Sequence, residues 1–509
     1  MTAVLPPRAD ERRSRAGFAR LLRAEWTKFR TVRGWVIGTV AAAVVTVLIG
    51  LFGTAGPTLN HRPDAIPTAP DGRAVNDSFY FVHRTLQGDG SITVPVTSLT
   101  GVISMGPDER RGVEPWAKAG IIVKDGLRPG SRYAAVMATG AHGVRMQHDY
   151  VHDTAAPQAV ASARWLRLVR SGDLVTGYGS ADGAHWTRVG SVRLPGLATG
   201  VQAGAFVASP MDIKATSHGA AFDPAVATAT FGTAALAGRW TPGTWKGEQV
   251  GRAGTSGSYT DTTRGGFTES ARGLTVTGAG DIAPIVGGPA LGTGYTIENL
   301  LVGAFAGILV MAVVGALFVS AEYRRGLIGL TFAASPRRGR VLAAKALVIG
   351  SVAFVTGLVA AAVAIPLATA RARGHGFFIL PVSGWTEVRV VAGTALLFAV
   401  ASVLALALAT LIRRGAAAVT IIVAVLVLPY VLASGALLPD GPSGWLLRVT
   451  PAAGFAIQQT VVRYPQVETV YTPSSGYFPL PHWAGFAVLC AYAAVALAAA
   501  AHLLRRRDA

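Results

Sequence analysis

The sequence predicts a multi-domain protein: an α-helical polytopic membrane bundle of six spans, with an all-β extracellular sandwich inserted between spans 1 and 2. Three observations predict this fold class. Hydrophobic residues make up 51% of the 509 residues and charged residues only 14%, which is more apolar than an ordinary soluble protein. Long apolar runs lie near the N-terminus and throughout the C-terminal part. A polar, turn-rich segment of about 240 residues separates the first run from the second.

The apolar runs are long enough to cross a bilayer, which takes about 20 helical residues. The six predicted spans are residues 35–53, 299–319, 342–368, 388–412, 416–438 and 483–504. The first run has full spanning length and follows a long basic region, with no clear small-x-small cleavage site after it. We therefore expect an uncleaved anchor rather than a removed signal peptide.

Basic residues cluster beside these runs and predict the orientation of the chain. The formal net charge is +19, and the densest arginine clusters lie before the first span, between spans 2 and 3, between spans 4 and 5, and after the last span. Basic loops remain on the cytoplasmic side, so we expect both termini to be cytoplasmic in a multi-pass plasma-membrane protein. Arg371, Arg373 and Arg389 are discordant, because this topology places them outside. No nucleic-acid partner is expected, since that would need a single folded basic surface.

The composition divides the chain into segments with different predicted roles. These are a cytoplasmic N-terminus (1–34), span 1 (35–53), a Pro-rich linker (54–70), the β-sandwich (71–230), a membrane-proximal extension (231–295) and the membrane domain (296–509) with a cytoplasmic loop (321–341).

Short alternating runs predict strands in the segment between spans 1 and 2. Residues 120–124, 132–137 and 165–170 are such runs, and in the last one Leu166 and Leu168 face one way. Asp182-Gly183 supplies the positive-φ position of a tight hairpin turn. Many short strands with regular turns are typical of an all-β sandwich.

Several of these strands resemble the concanavalin-A-like sandwich family. The resemblance rests on residues 116–125 (WAKAGIIVKD), 130–137 (GSRYAAVM), 142–147 (HGVRMQ) and 165–170 (WLRLVR), with Asp182-Gly183 and Trp186. That family includes carbohydrate binders and glycosidases, so the resemblance implies a fold more than an activity. It also implies that a glycan outside the cell is a possible ligand.

Candidate catalytic or metal-binding residues in this segment are weak. Glu109 and Glu114 are the nearest thing to a carboxylate pair, but they lie in a turn-like stretch rather than on one strand face. His148, Asp149, His152 and Asp153 are ordinary ligand types without a standard metal-site spacing. We expect neither an enzyme nor a metal centre here.

The N-terminal stretch has helical periodicity before the first span. Phe18, Leu22, Trp26 and Phe29 share one face, while most of the arginines lie off it. A basic amphipathic helix of this kind lies in the membrane interface, with its cations near anionic lipid headgroups.

The loop after span 2 carries the residues most suggestive of a partner. A short helix bounded by arginines and stopped by Pro336 suits docking on a partner protein. Glu322 is expected to pair with Arg324, Arg325 or a cation of the partner. The candidate coupling residues are Glu322, Tyr323, Arg324, Arg325, Leu327, Leu330, Arg337 and Arg338.

This loop resembles the type-2 ABC exporter permeases, which pair a Glu-Tyr-Arg with a Pro-Arg-Arg and a downstream Lys. The matching residues are 322–326 (EYRRG), 335–340 (SPRRGR) and Lys345, and similar blocks are found at 23–28 (RAEWTK) and at the C-terminus. The resemblance implies a coupling helix that contacts an ATP-binding subunit, and a second permease copy in a homodimer or heterodimer. No Gly-x-x-x-x-Gly-Lys-[Ser/Thr] phosphate loop occurs in the sequence, so ATP and Mg would be bound by the partner subunit, with no cofactor in this chain.

The expected function is therefore the membrane-spanning subunit of an exporter for an amphipathic, lipid-like or drug-like substrate. The apolar spans would suit such a cargo. Three other classes remain open: a membrane-anchored extracellular glycan-binding or sensing protein, a membrane-bound glycosidase, and a self-sufficient carrier or channel.

Overall fold

The chain folds into two compact units, each with its own hydrophobic core. The computed structural model describes residues 9–54, 66–103, 109–216, 219–251, 265–287, 294–324, 326–334, 337–434, 438 and 440–506. One unit is helical and comprises residues 1–62, 295–461 and 471–509. The other is built of strands and comprises residues 63–294 and Val462–Val470.

The helical unit contains the N- and C-terminal parts of the chain. Its α-helices are α1 (Ala9–Thr31), α2 (Arg33–Gly53), α3 (Ile297–Leu300), α4 (Ala304–Arg324), α5 (Leu327–Ala334), α6 (Arg338–Gly374), α7 (Gly384–Ile412), α8 (Gly415–Ile422), α9 (Leu428–Ser434), α10 (Asp440–Val449) and α11 (His482–Arg506). Within this unit α4 packs against α2 and α7, and α7 packs against α6 and α11.

In the part of the chain that the structure describes, six helices are long and apolar enough to span a membrane, as the sequence predicts for a transmembrane protein. They are α2, α4, α6, α7, α11 and the continuous run Gly415–Ala433, in which a π-helical turn joins α8 to α9. Span 2 is displaced by five residues from its predicted bounds at both ends. It begins at Ala304, after α3, and continues to Arg324, so that Glu322 and Tyr323 lie in the last turn of a helix rather than in a loop.

Chain connections define two ends of the helical unit. At one end the loop before α3 meets the loop between α6 and α7, where the Tyr295 amide donates to the Phe378 carbonyl and the Leu380 amide donates to the Tyr295 carbonyl. The Tyr295 hydroxyl also donates to the Gly53 carbonyl at the end of α2. At the opposite end α1 packs against the start of α6, close to the last turn of α4.

Every strand named here follows α2 and precedes α3. The strands are β1 (Val75–Asp77), β2 (Phe79–Ile103), β3 (Arg110–Arg111), β4 (Lys118–Lys124), β5 (Tyr133–Thr139), β6 (Val144–His148), β7 (His152–Ala155), β8 (Trp165–Ser171), β9 (Leu174–Ser180), β10 (Thr187–Arg193), β11 (Gly200–Ala208), β12 (Asp212–Thr216), β13 (Gly219–Asp223), β14 (Ala225–Phe231), β15 (Ala235–Trp240), β16 (Lys246–Val250), β17 (Gly266–Ser270), β18 (Gly273–Gly278) and β19 (Ile282–Pro284). The longest, β2, pairs with β11 through its first half and with β8 through its middle, always antiparallel.

The strands form two layers because β2 belongs to both. One layer has the order β10-β9-β8-β2 and the other β2-β11-β4-β5-β6-β7. Side chains of both layers meet in one core, where Ile121, Val136, Leu166 and Leu168 are buried together. The predicted alternation in β8 is thus confirmed. The loop between β9 and β10 contains Gly183 at φ = +79°, in the hairpin that the sequence predicts.

The β unit extends further along the chain than the sequence analysis expects. Residue 230 is not a boundary, because β15 and β16 pair with β2, and β18 pairs with β14. The unit also includes Val462–Val470, which we assign from sequence to the membrane domain. There the Gln466 side chain, 1% exposed, donates to the Val151 carbonyl at 3.1 Å.

Candidate functional site

Four charged side chains from three helices form a buried cluster at the α1 end of the helical unit. Glu25 lies on α1, Glu322 in the last turn of α4 and Lys345 in the second turn of α6. The Lys345 ammonium donates to Glu25 Oε2 at 2.8 Å and to Glu322 Oε1 at 2.7 Å. Lys28, one turn after Glu25, donates to Glu25 Oε1 at 2.9 Å and to Glu322 Oε1 at 3.1 Å. Two carboxylates and two ammonium groups therefore alternate around one point.

Burial makes this cluster energetically important. Glu25 is fully buried, and Lys345 and Glu322 are 1% and 7% exposed. An isolated ion at such a place would be strongly disfavoured, but here the formal charges cancel. Burial lowers the pKa of Lys28, but hydrogen bonds and charge attraction from Glu25 and Glu322 outweigh it, so the pKa of Lys28 lies above its usual value. The cluster therefore fixes three helices together and is costly to break.

Aromatic rings line the cluster on one side. The Lys345 ammonium lies 4.8 Å from the centre of the Phe318 ring, one turn before Glu322. Phe29 and Trp35 both contact Phe318 edge to face, with ring centroids 5.9 and 5.0 Å away. These rings exclude water from one side of the charges and join α1, α2 and α4. A cation over an aromatic face adds a favourable electrostatic contact.

Two further cations hold neighbouring helix ends. The Arg338 guanidinium, at the start of α6, donates to the Leu504 carbonyl near the end of α11 at 2.9 Å. Arg413 adopts φ = +60° in the turn between α7 and α8 and lies 5.6 Å from the centre of the Tyr323 ring. Arg338 and Tyr323 thus stabilise contacts within the chain.

The short helix α5 lies between α4 and α6 and presents an apolar residue to solvent. Gly326 turns the chain into α5 at φ = +66°, a conformation that glycine adopts without strain. Leu327, the first residue of α5, is 43% exposed, and its carbonyl accepts a hydrogen bond from the Thr331 hydroxyl. Arg324 and Arg337 flank the helix and are exposed. Arg325, Pro336 and the Leu330 side chain lie outside the described residues.

The structure divides the predicted coupling residues into two groups. Glu322, Tyr323 and Arg338 make internal contacts, whereas Arg324, Leu327 and Arg337 are available at the surface. Among the described residues Glu322 pairs with Lys28 and Lys345, and the expected pairing with Arg324 is wrong. The prediction failed because it treated Glu322 as a solvated loop residue, while α4 continues past it and turns the side chain inward.

Sequence reasoning missed Glu25 and gave no pairing role to Lys28 or Lys345. One signal was present, because Lys345 lies inside the predicted span 342–368, where an ionisable residue requires a partner. Glu25 is also conspicuous, because the basic stretch 1–34 has only two other acidic residues, Asp10 and Glu11. What the sequence does not show is which acid meets which base.

The predicted interfacial helix agrees only partly with the face that α1 presents. Phe29 is buried in the core of the helical unit, and Leu22 packs partly against it. Trp26 is 46% exposed and Phe18 is only partly covered. The buried face of α1 therefore runs through Leu22, Glu25 and Phe29. Trp26 and the described arginines Arg20, Arg23 and Arg30 are exposed, away from that core.

The polar residues singled out in the β unit are engaged in local contacts. Arg145 forms a bidentate pair with Asp153, and the imidazoles of His148 and His152 stack at 4.3 Å. Among the described residues no group of three or more His, Cys, Asp or Glu is arranged to hold a metal ion. Glu114 is 2% exposed and accepts a hydrogen bond from the Trp116 amide at 2.7 Å. Burial raises the pKa of Glu114 to about 8, and the nearby charge of Asp281 adds to this.

Comparison with known proteins gives little guidance. No family model matches the chain, and no curated protein matches it. Two solved structures show limited likeness. A functionally unknown protein from Saccharomyces cerevisiae is 15% identical, with a TM-score of 0.18, over 36% of this chain and 85% of that chain. Scytalido-glutamic peptidase with a peptide-based transition-state analogue is 11% identical, with a TM-score of 0.20, over 40% of this chain and 98% of that chain. Likeness this low carries no argument about fold or function.

Proposed function

We propose that this chain is the membrane-spanning subunit of an ATP-driven exporter of the type-2 ABC class. The observation that carries the proposal is the short helix α5, with its exposed Leu327, held between α4 and α6 beside the buried charge cluster. A passive membrane anchor has no need for an exposed docking helix that follows directly on a charge cluster joining three helices. A subunit that receives motion from a partner needs both features.

The cluster supplies a path by which movement of α5 reaches the spans. Glu322 lies in the last turn of α4, and Lys345 lies in the second turn of α6. These are the helix ends that adjoin α5. Glu25, which bonds Lys345, links α1 to them. Breaking such a buried pair costs several kcal/mol, so the three helices move as one body when α5 is displaced. Transport then requires two arrangements of this body that the partner contacts differently.

The proposed partners are inferred from two features: the sequence has no phosphate-binding loop, and helix α5 is exposed. ATP and Mg would be bound by a separate ATP-binding subunit, which docks on α5 from the cytoplasm. Two ATP sites require two membrane subunits, so a second copy or a sister permease completes the assembly. The cargo is an amphipathic, lipid-like or drug-like molecule leaving the cell, because the spans are apolar along most of their length. The β unit then lies outside the plasma membrane.

The test is co-purification of the full-length chain from its native cells in mild detergent. We expect a stoichiometric companion with a phosphate-binding loop and an ATPase activity. The structure selects two variants that disturb only the surface: Leu327→Asp and Arg337→Glu. Both should release the companion. Arg188→Glu, which reverses an exposed charge in the β unit, is the matched control and should retain it.

Two results would contradict the proposal. Recovery of the intact chain alone, even after cross-linking, would favour the anchored glycan-binding protein instead. Retention of the companion by both surface variants, with undiminished substrate-stimulated ATPase activity, would remove α5 from the docking role.

A further inference from the structure

A buried lysine and an aspartate from distant parts of the β unit are in direct contact. Lys118, the first residue of β4, is fully buried. Its ammonium group donates to Asp281 Oδ1 and, at 2.9 Å, to the Ile282 carbonyl. The two residues of the pair are 163 positions apart in sequence, and the Asp281 side chain is only 13% exposed. An amine and a carboxyl carbon are thus held side by side where water has little access.

The backbone around Asp281 holds its side chain beside the start of β4. The Asp281 carbonyl accepts from the Ser78 amide at 2.9 Å, and its Oδ1 accepts from the Ile282 amide at 2.8 Å. The preceding Gly280 has φ = +94°, and a Cβ there would lie 2.5 Å from the Ser78 carbonyl oxygen. Only glycine allows this close approach. Asp281 is therefore fixed by bonds other than its bond to Lys118.

A further carboxyl group, that of Glu114, lies close to this pair. Glu114 is in the turn that leads into β4, where its Oε2 accepts from the Trp116 amide at 2.7 Å and its carbonyl accepts from the Ala117 amide at 2.9 Å. Burial raises the pKa of Glu114 to about 8, and the negative charge of Asp281 adds to this, while the positive charge of Lys118 acts in the opposite direction. A neutral acid that can give and take a proton is therefore present near the pair at neutral pH.

We propose that Lys118 and Asp281 condense to form an amide cross-link between their side chains, with Glu114 transferring the protons. The Lys118 nitrogen gives up a proton and attacks Cγ of Asp281, so that a C–N bond forms. The Cγ–O bond then breaks, and the oxygen leaves as water with two of the three ammonium protons, while the amide keeps the third. Glu114 donates a proton to the leaving oxygen and recovers one from the nitrogen. The reaction needs no oxidant, reductant or cofactor, and it does not depend on the exporter function.

A second buried lysine–aspartate pair in the β unit provides an internal comparison. Lys124 donates to Asp77 Oδ2 at 2.6 Å, and both side chains are fully buried. The same oxygen also accepts from the Gly130 amide and from the Tyr150 hydroxyl, both at 2.7 Å. Three donors on one oxygen stabilise the charged carboxylate, whose carbon is a poor electrophile. We expect this pair to remain an ion pair.

The cross-link supplies a covalent constraint that the chain cannot obtain from a disulfide. The sequence has one cysteine, Cys490, so no intrachain disulfide can form. The amide joins β4 to the residue before β19 and encloses the strands between them. A covalent link that closes a long loop stabilises a fold mainly by restricting the unfolded chain.

The test is mass spectrometry of the full-length protein purified in detergent. Condensation should lower the intact mass by about 18 Da, one water, and a protease digest should contain Lys118 and Asp281 in a single branched peptide. Asp281→Ala and Lys118→Arg should have their full calculated masses. Asp281→Asn offers an amide carbon instead of an acid and should still cross-link, with the loss of ammonia, about 17 Da.

Matched variants test the role of Glu114. Glu114→Gln should leave the lysine and the aspartate unlinked, although its tryptophan fluorescence shows a folded β unit. Glu109→Gln removes an exposed carboxylate from the same stretch and should retain the loss of about 18 Da. When the response of Glu114 to pH is measured, the parent is Lys118→Arg, because neither that protein nor its Glu114→Gln derivative can cross-link.

Three results would overturn the proposal. One is a folded parent protein with its full calculated mass. Another is a loss of water confined to a linear peptide around Asp281, which indicates a succinimide. The last is a branched peptide that contains Lys124 instead of Lys118. Cross-linking that persists in Glu114→Gln would remove Glu114 from the reaction. None of these results depends on ATP or on a companion subunit, so each leaves the exporter function to its own test.

Discussion

Lys345 is the residue on which the charge cluster depends. Its ammonium group bonds the carboxylates of Glu25 and Glu322 and is nearly inaccessible to solvent. Lys28 bonds the same two carboxylates, but its side chain lies at the edge of the cluster and is 38% exposed. Removing one member of a buried charge set leaves the others without compensation, and this costs more than the intact set contributes.

Replacing Lys345 by methionine should therefore destabilise the helical unit by about 3–5 kcal/mol. Two acids would then share one partly exposed ammonium group. The measurement is thermal unfolding of the full-length protein in detergent, with Arg324→Met as the exposed control expected within about 0.5 kcal/mol of the parent. Adding Glu322→Gln to Lys345→Met should recover part of the loss, because one uncompensated charge disappears. Equal stability of Lys345→Met and the control would show that the cluster does not bind the helices together.

Because the Glu114 carboxyl is buried, we expect the stability of the β unit to depend on pH in an unusual way. Its pKa is about 8 in the folded protein, above that of an exposed glutamate, so the folded state binds a proton that the unfolded chain releases. The stability that this proton contributes is fully present below the unfolded pKa and declines as the pH rises towards 8. The slope approaches about 1.4 kcal/mol per pH unit for one group.

The variant Glu114→Gln imitates the protonated side chain and keeps the acceptor for the Trp116 amide. It should flatten this decline, so that its stability exceeds that of the parent most clearly above pH 8. Unfolding followed by tryptophan fluorescence between pH 5 and 9 measures the difference. Parallel pH profiles for the two proteins would contradict the assignment.

Individual elements were predictable where a local pattern determined them. Alternating hydrophobicity predicted β8, and the Asp182-Gly183 pair predicted the hairpin turn between β9 and β10. Both patterns depend on residues that are next to each other in sequence. The length of α4 was not predictable, because the bonds of Glu322 to Lys28 and Lys345 draw its last turn inward. The buried 3₁₀ helix Pro451–Gln458 was also missed, since its contacts come from residues distant in sequence, such as Arg389, which donates to the Ile457 carbonyl 68 residues away.

The two hairpin turns that flank β9 allow a matched test of local backbone requirements. Gly172 and Gly183 both have positive φ, at +63° and +79°. A Cβ on Gly172 would meet nothing within 4 Å, whereas one on Gly183 would lie 2.9 Å from the Trp165 ring. Alanine at either position should cost about 1–2 kcal/mol in backbone strain.

Gly183→Ala should be the more damaging of the two by about 1–3 kcal/mol, because crowding of the Trp165 ring adds to that strain. Thermal unfolding gives the difference, and the fluorescence of Trp165 should shift in this variant only. Equal losses in both variants would mean that the Trp165 ring moves aside freely.

At the scale of the whole molecule, the chain passes between its two units more than once. It leaves the helical unit before Pro63, returns after Gly294, and contributes Val462–Val470 to the β unit a second time. Composition predicted the six apolar helices and the strand-rich insert, since both follow from average hydropathy. It could not predict the second contribution, in which Gln466 bonds a carbonyl 315 residues earlier. A fragment cut at the predicted boundaries would lack part of its own unit.

The proposed topology places the β unit and the α5 end of the helical unit on opposite sides of the membrane, and this can be tested directly. In a Cys490→Ala background, His185→Cys reports on the β unit, since that side chain is 93% exposed. Arg324→Cys reports on the exposed end of α4 beside α5. An impermeant maleimide added to intact cells should label the first position and not the second. Permeabilised cells should show both. Labelling of Arg324→Cys in intact cells would mean that the topology is the reverse of the proposed one. In that case α5 would lie outside the cell, where no cytoplasmic ATPase could reach it.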